Sequence, residues 1–239
     1  MVYGKVKFKN KGGFIMEQTN ETQEKKIERM PRIGEPAPQF EAVTTQGNIK
    51  LEDFKGSWLI LFSHPADFTP VCTTEFIGFA QIHPQLREMN CELMGLSIDS
   101  VYSHIAWARN VEEKLGQKLT FPIIADLNKE VASKYGMIMP GESKTETSRC
   151  VFVIDDKQIL RAMIYYPLTT GRNMDEILRL IQALQTTDEH GVATPANWRP
   201  GDKVIVPTPN TQEMAEERVK NTKFECNDWY FCKKELGRK

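Results

Sequence analysis

Three short apolar runs constrain this chain more than any other feature. Ser57-Trp58-Leu59-Ile60-Leu61-Phe62, Glu92 to Ile98 and Cys150 to Ile154 read as strands buried on both faces, which need a covering layer on each side. Ile159 to Tyr165 follows the turn Asp155-Asp156-Lys157-Gln158 and forms a hairpin with the run before it. Between the strands come helical patterns. Phe76, Phe79, Ala80, His83 and Leu86 recur at helical spacing, as do Met174, Ile177, Leu178, Ile181 and Leu184. The second set opens on Asn173 as N-cap with Glu176 three residues on. Strand–helix–strand–helix–strand, then a hairpin and a helix, predicts a mixed α/β sheet with helices on both sides.

With 239 residues, 40% of them apolar and 26% charged, the chain has the composition of a soluble globular protein and enough length for one core plus a smaller appended piece. The longest apolar run, Trp58 to Phe62, is far short of the roughly 20 residues that cross a bilayer, so no membrane partner is expected. Thirty-one basic against thirty-two acidic residues give no excess that suggests nucleic acid. Five irregularly spaced cysteines do not form a secreted disulfide scaffold, and no signal-peptide pattern opens the chain, so a cytoplasmic location is expected.

Residues 1–30 lack periodicity and are read as a mobile extension. Lys11-Gly12-Gly13 stands two residues before Met16, and one coding option for it is a purine-rich ribosome-binding sequence. Met16 is therefore the expected start, with residues 1–15 an untranslated upstream stretch; a nucleic-acid-binding arm at Lys5, Lys7, Lys9 and Lys11 is the alternative. After Thr187 the texture changes, with Pro195, Pro200, Pro207 and Pro209 close together. Residues 31–187 are thus expected to form the main domain and 188–239 an extended arm. Its apolar residues, among them Trp198, Trp229, Tyr230 and Phe231, call for a surface, and a partner subunit is one place for it. The element order resembles a thioredoxin-like fold, although periodicity alone also admits flavodoxin-like winding.

The chemistry concentrates in Ser63-His64-Pro65-Ala66-Asp67-Phe68-Thr69-Pro70-Val71-Cys72-Thr73-Thr74-Glu75, which joins a strand to the first turn of a helix. Unpaired backbone N–H groups and the positive end of the helix dipole there favour thiolate over thiol. Thr69, three residues earlier, can hydrogen-bond the sulfur or a ligand on it, and Pro65 and Pro70 fix the loop. The plain reading is a small buried hydrophobe. Glu75 speaks for that reading, since a carboxylate one turn away opposes a thiolate unless a cation neutralises it.

Pro65-x-x-x-Thr69-x-x-Cys72 resembles the peroxidatic motif of the peroxiredoxins, and the longer string Ser63 to Glu75 is similar to their 1-Cys-like subfamily. The resemblance runs from about Ile33 to Phe231. It implies a thioredoxin-like fold with N-terminal additions and a C-terminal extension. It also implies a peroxidase acting on hydrogen peroxide and organic hydroperoxides, in protection against oxidative stress. Cys72 matches the peroxidatic cysteine, Thr69 the hydroxyl that contacts sulfur and peroxide, and Pro65 the residue that shields the site. Arg149 matches the arginine that holds thiolate and peroxide together, which supplies the cation Glu75 demands. Arg172 matches a second arginine near the site, and His64 an active-site histidine of the subfamily, with a structural histidine as the alternative.

Archaeal-type members carry a pair like Cys226 and Cys232, which implies Cys232 as resolving cysteine across a dimer interface and Cys226 as an auxiliary redox partner. Cys91 and Cys150, inside apolar runs, read as packing residues. No Cys-x-x-Cys and no zinc spacing exist, so neither a metal nor another cofactor is expected. The resemblance implies a dithiol reductant of thioredoxin or glutaredoxin type and dimers assembled into a decameric ring. Lys55-Gly56-Ser57-Trp58-Leu59 lacks the first and last glycines required by the lipase element found in mammalian members, so lipase chemistry is set aside. A one-cysteine mechanism without Cys232, and a redox sensor or chaperone-like assembly, stay open as alternatives.

Overall fold

The computed structural model describes residues 30–221 and 223–237. The readings of residues 1–29 as a mobile extension, and of Met16 as the start, lie outside the described residues. The predicted strands are the middle of a seven-stranded sheet: β3 is Trp58–Ser63, β4 Cys91–Ser97, β6 Arg149–Ile154 and β7 Leu160–Tyr166. With β1 (Glu41–Thr44), β2 (Gly47–Lys50) and β5 (Ile123–Ala125) the order is β2-β1-β5-β4-β3-β6-β7. β3, β4 and β5 run parallel, while β6 and β7 form the predicted antiparallel hairpin.

The unbroken apolar runs follow from the period of two. Ile60 and Phe62 of β3, Leu93 of β4, and Val151 and Val153 of β6 point into one core, and Leu59, Leu61, Met94, Phe152 and Ile154 into the other. The first core is closed by α1 (Pro70–Glu88), α2 (Val101–Leu115) and α4 (Met174–His190), through Phe76, Phe79, Trp107 and Ile181. The second is closed by α3 (Glu130–Lys134) with Tyr135 and Met137. Helices on both sides were expected from the alternation. Gly95 of β4 is needed as glycine, because a Cβ there would meet the rings of Phe62 and Phe76 at 3.2 Å each. Phe62 stacks on Phe79 of α1 and meets Phe76 and Phe121 edge-on.

α4 begins as read, with the Asn173 side chain accepting from Glu176 N. It runs three residues past the texture change at Thr187 and ends at Gly191, whose φ of 58° supplies the left-handed cap. The arm holds more structure than its prolines suggest. β8 (Val204–Ile205), β9 (Glu225–Asp228) and β10 (Phe231–Lys234) form a three-stranded sheet, and α5 (Gln212–Lys220) lies between. Trp198 and Val204 pack on Ala183 of α4, so the arm finds part of its surface within its own chain. Trp229, Tyr230 and Phe231 stay exposed.

Candidate active site

β3 delivers the chain to the site. His64 N continues the parallel ladder to Leu96 O, and Thr147 Oγ1 donates to His64 O, so the loop leaves the sheet in a fixed direction. Pro65 is buried. Phe68 takes φ 55°, an uncommon conformation for a bulky residue, with its ring exposed. Thr69 is the extended N-cap of α1 and Pro70 its first residue, the position where a missing N–H costs nothing. Thr69 Oγ1 donates to Ala66 O at 2.9 Å, which leaves its lone pairs facing outward from that bond.

Cys72 falls in the first turn of α1, fully buried and free. Arg149, at the first position of β6, donates from Nη1 to Cys72 Sγ at 3.3 Å and to Glu75 Oε2 at 2.6 Å. Glu75 is the hinge of the arrangement. Its Oε1 accepts from Arg172 N and Nε, and its Oε2 from Arg172 Nη2. Arg172 Nη1 also donates to Ser63 O and Cys150 O, and its guanidinium lies over the rings of Phe62 and Phe79. Burial pushes the Glu75 carboxyl up, but the two arginines outweigh it and hold the group below its ordinary 4.5. A carboxylate that looked hostile to a thiolate is therefore neutralised twice over, and one neutralising group also touches the sulfur.

A second buried polar cluster holds the other side of the loop. Asp67 accepts from His64 Nε2 at 2.9 Å and from His104 Nδ1 of α2 at 2.8 Å, while its own N–H donates to Asp99 Oδ2. His104 Nε2 meets Ile124 O at 3.1 Å. The His64 ring is sealed, stacked on Trp107 and edge-on to Phe76, with Nδ1 unpartnered. Burial lowers His64 below its ordinary 6.5 more than Asp67 raises it. Asp67 is itself raised by burial, but the hydrogen bonds from the two imidazoles dominate and keep it strongly ionised. Among the described residues these three gather metal-type donors. Their spacing is that of hydrogen bonds, since tetrahedral zinc with bonds near 2.0–2.1 Å separates its ligands by about 3.3 Å.

The geometry joins Cys72 and Arg149 directly and Arg172 through Glu75, and it sets Thr69 and Pro65 on the loop before them. Cys226 and Cys232 are register partners on β9 and β10 and form a disulfide with each other. Cys91 and Cys150 are the packing residues expected, and burial pushes both thiols up to about 12. Sequence reasoning paired Glu75 with Arg149 and missed that it also holds Arg172. It also missed Asp67 and His104, which lie 37 positions apart with nothing local to link them.

Comparison with known proteins places the chain in a family. Residues 33–163 match the AhpC/TSA family and residues 183–222 the C-terminal domain of 1-Cys peroxiredoxin. A peroxiredoxin of Aquifex aeolicus is 59% identical over 218 residues, covering 87% of this chain and 98% of that protein. A yeast mitochondrial 1-Cys peroxiredoxin superposes with a TM-score of 0.77 at 42% identity, over 87% of this chain and all of the other. A cysteine-to-serine mutant of peroxiredoxin 6 of Arenicola marina gives 0.78 at 38%, over 87% and 99%. Its thioredoxin-like α/β fold is thus shared with solved peroxiredoxins, and with a family match over more than half its length the chain belongs to the peroxiredoxins, oxidoreductases that act as thiol peroxidases.

Proposed function

We propose that Cys72 is the peroxidatic cysteine of a peroxidase for hydrogen peroxide and organic hydroperoxides, with Arg149, Thr69 and Pro65 completing the reacting centre. The observation that carries this reading is the Arg149 guanidinium held against Cys72 Sγ while Glu75 fixes its orientation. The Cys72 thiolate attacks one peroxide oxygen in line with the O–O bond. An S–O bond forms as the O–O bond breaks, and the leaving oxygen takes a proton from solvent and departs as water or an alcohol. Arg149 stabilises the charge that develops on that oxygen. Thr69, its own proton committed to Ala66 O, accepts from the peroxide O–H. Pro65 excludes water, and Arg172 acts on the centre through Glu75. The product is Cys72 sulfenic acid.

Resolution goes through the arm. The sulfenic acid condenses with the thiol of Cys232 of the partner subunit, which releases water and forms a disulfide. Because Cys72 is fully buried, this step requires local opening of the first turn of α1. Cys226 then displaces Cys72 by thiol–disulfide exchange, leaving the Cys226–Cys232 pair for an external dithiol of thioredoxin or glutaredoxin type to reduce. The cross-strand disulfide supports that last state. The same pairing also favours a second reading, in which the hairpin disulfide is structural and Cys72 works alone. Exposed Trp229, Tyr230 and Phe231 support assembly of dimers, and of a decameric ring, with residues 31–187 as the peroxidase domain and 188–239 as the arm. A cytoplasmic setting accords with free thiols at Cys91 and Cys150.

The test treats reduced protein with one equivalent of hydrogen peroxide, followed by a non-reducing gel and disulfide peptide mapping. A covalent dimer with a Cys72–Cys232 link, or the Cys226–Cys232 disulfide to which that link passes on, is the expected result. A monomer bearing Cys72 sulfenic acid selects the one-cysteine mechanism, and an unoxidised Cys72 removes the peroxidase assignment from this residue.

A further inference from the structure

We propose that Asp67 is a positioning residue for peroxide reduction: its carboxylate ties the Pro65–Thr69 loop to His104 of α2 and so sets where Thr69 stands over Cys72. This rests on the reading of Cys72 and Thr69 as reacting groups. The two sides of the centre are held by separate networks. The charged side, Arg149–Glu75–Arg172, joins β6, α1 and the approach to α4. The loop side is held instead at Asp67, by His64, by His104 and by the backbone bond to Asp99.

Three observations single out Asp67. Its carboxylate is 2% exposed and accepts from two imidazoles, one on its own loop and one on α2. His104 is anchored at its far end to Ile124 O of β5, so the loop is referenced to the sheet through α2. The next residue, Phe68, is held at φ 55° with an exposed ring. An unfavourable conformation of that kind persists only where its surroundings fix it. Phe68 itself is mostly in solvent and meets only the Trp107 ring of α2, centroids 6.5 Å apart, so the fixing is shared by that contact, by Asp67 before it and by the α1 start after it. The Thr69 hydroxyl bonds Ala66 O, inside the span Asp67 anchors, so release of Asp67 lets the Thr69 hydroxyl shift relative to the start of α1. A misplacement of about 1 Å in such a group is worth up to ~10²-fold in rate.

The experiment uses the full chain and two reactions of the same thiol: oxidation of Cys72 by hydrogen peroxide, and its alkylation by iodoacetamide across about pH 5–9. The natural chain, Asp67→Asn and His104→Gln are compared. Both variants are expected to lose at least about tenfold in the peroxide rate constant. Their alkylation profiles should stay within about twofold, because the Arg149 network that faces the sulfur is untouched. Asp67→Asn combined with Thr69→Val should be no slower than Thr69→Val alone, since the first acts through the second. Unchanged peroxide rates, an equal loss in both reactions, or fully multiplicative losses with Thr69→Val overturn the proposal. Failure of both single variants to fold overturns it too, since the cluster then serves stability alone. Absence of Cys72 oxidation in the natural chain is a different failure, that of the underlying peroxidase reading.

Discussion

Cys72 and Cys232 are equally hidden, at 0% and 1% exposure, yet they are hidden by different means. Cys72 lies in the core on one face of the main sheet, in the cluster that holds Phe62, Phe76 and Phe79, against an arginine fixed by a buried carboxylate. Cys232 is covered by a short hairpin whose tip exposes Trp229 and Tyr230, and its partner Cys226 is only half-buried. The first sulfur is held in a packed scaffold, whose first helical turn must open locally in the proposed resolution; the second sits on a short hairpin. In the proposed cycle, the step that needs close placement of charge belongs to the packed part and the resolving thiol to the hairpin.

The comparison breaks most sharply at its two sulfurs. Cys72→Ser is expected to abolish peroxide turnover, a loss of at least about 10³-fold in a coupled assay; substantial residual activity would move the nucleophile elsewhere. Cys232→Ser should leave the first oxidation of Cys72 within about twofold while a dithiol-coupled steady state collapses and no disulfide-linked dimer forms. Steady turnover at the natural rate by that variant would make the arm a bystander. Next in size is Glu75→Gln, which leaves two buried guanidinium groups without their carboxylate. It should cost about 3 kcal/mol of stability in urea unfolding and slow Cys72 oxidation as well; a loss of stability alone would uncouple the network from the chemistry.

A smaller effect comes with pH. Burial holds His64 below 6.5, so below that value the unfolded chain takes a proton that the native ring refuses, and stability falls as pH drops. Glu75 and Asp67 are held below 4.5 and 3.8, so their stabilisation is complete above those values and is lost as pH falls through the native ones. Asp126, raised by burial, works in the opposite sense near its ordinary 3.8. The urea midpoint should be level from about pH 7 to 8 and decline steadily below 6.5, and a midpoint that rises towards about pH 5 contradicts the burial of His64. Smallest of all, Trp229→Ser should change the stability of the core by less than about 0.5 kcal/mol, because the ring is 40% exposed. A larger loss in dilute protein would mean the hairpin braces the sheet.

How far these regions were legible in the sequence follows the same division. The strands of the main sheet showed because burial on both faces writes unbroken apolar runs, and α4 showed because Asn173 and Glu176 announce its start. The loop proposed to react shows in the sequence as a local string, Pro65, Thr69 and Cys72. Arg149 and Arg172 came only from family resemblance, since a contact spanning 77 positions, as between Arg149 and Cys72, leaves no local trace. The arm was under-read. Its prolines predicted extended chain, but they leave Thr211 free to cap α5 by accepting from Met214 N, and no residue of that helix is buried enough to leave an apolar stripe. The Asp67 cluster was illegible for the same reason as the arginines, because tertiary packing alone brings His104 to the loop.

Cys91 and Cys150, set aside above as packing residues, bear on how such a protein survives its own substrate. A molecule that handles oxidants all its life exposes every sulfur it owns to damage, and three of its five cysteines are unpaired. Two of those three are woven into central strands with thiols pushed up to about 12, so scarcely any of either is in the ionised form that oxidants attack. The fold thus shelters these two thiols from the oxidants that the chemistry proposed for Cys72 consumes.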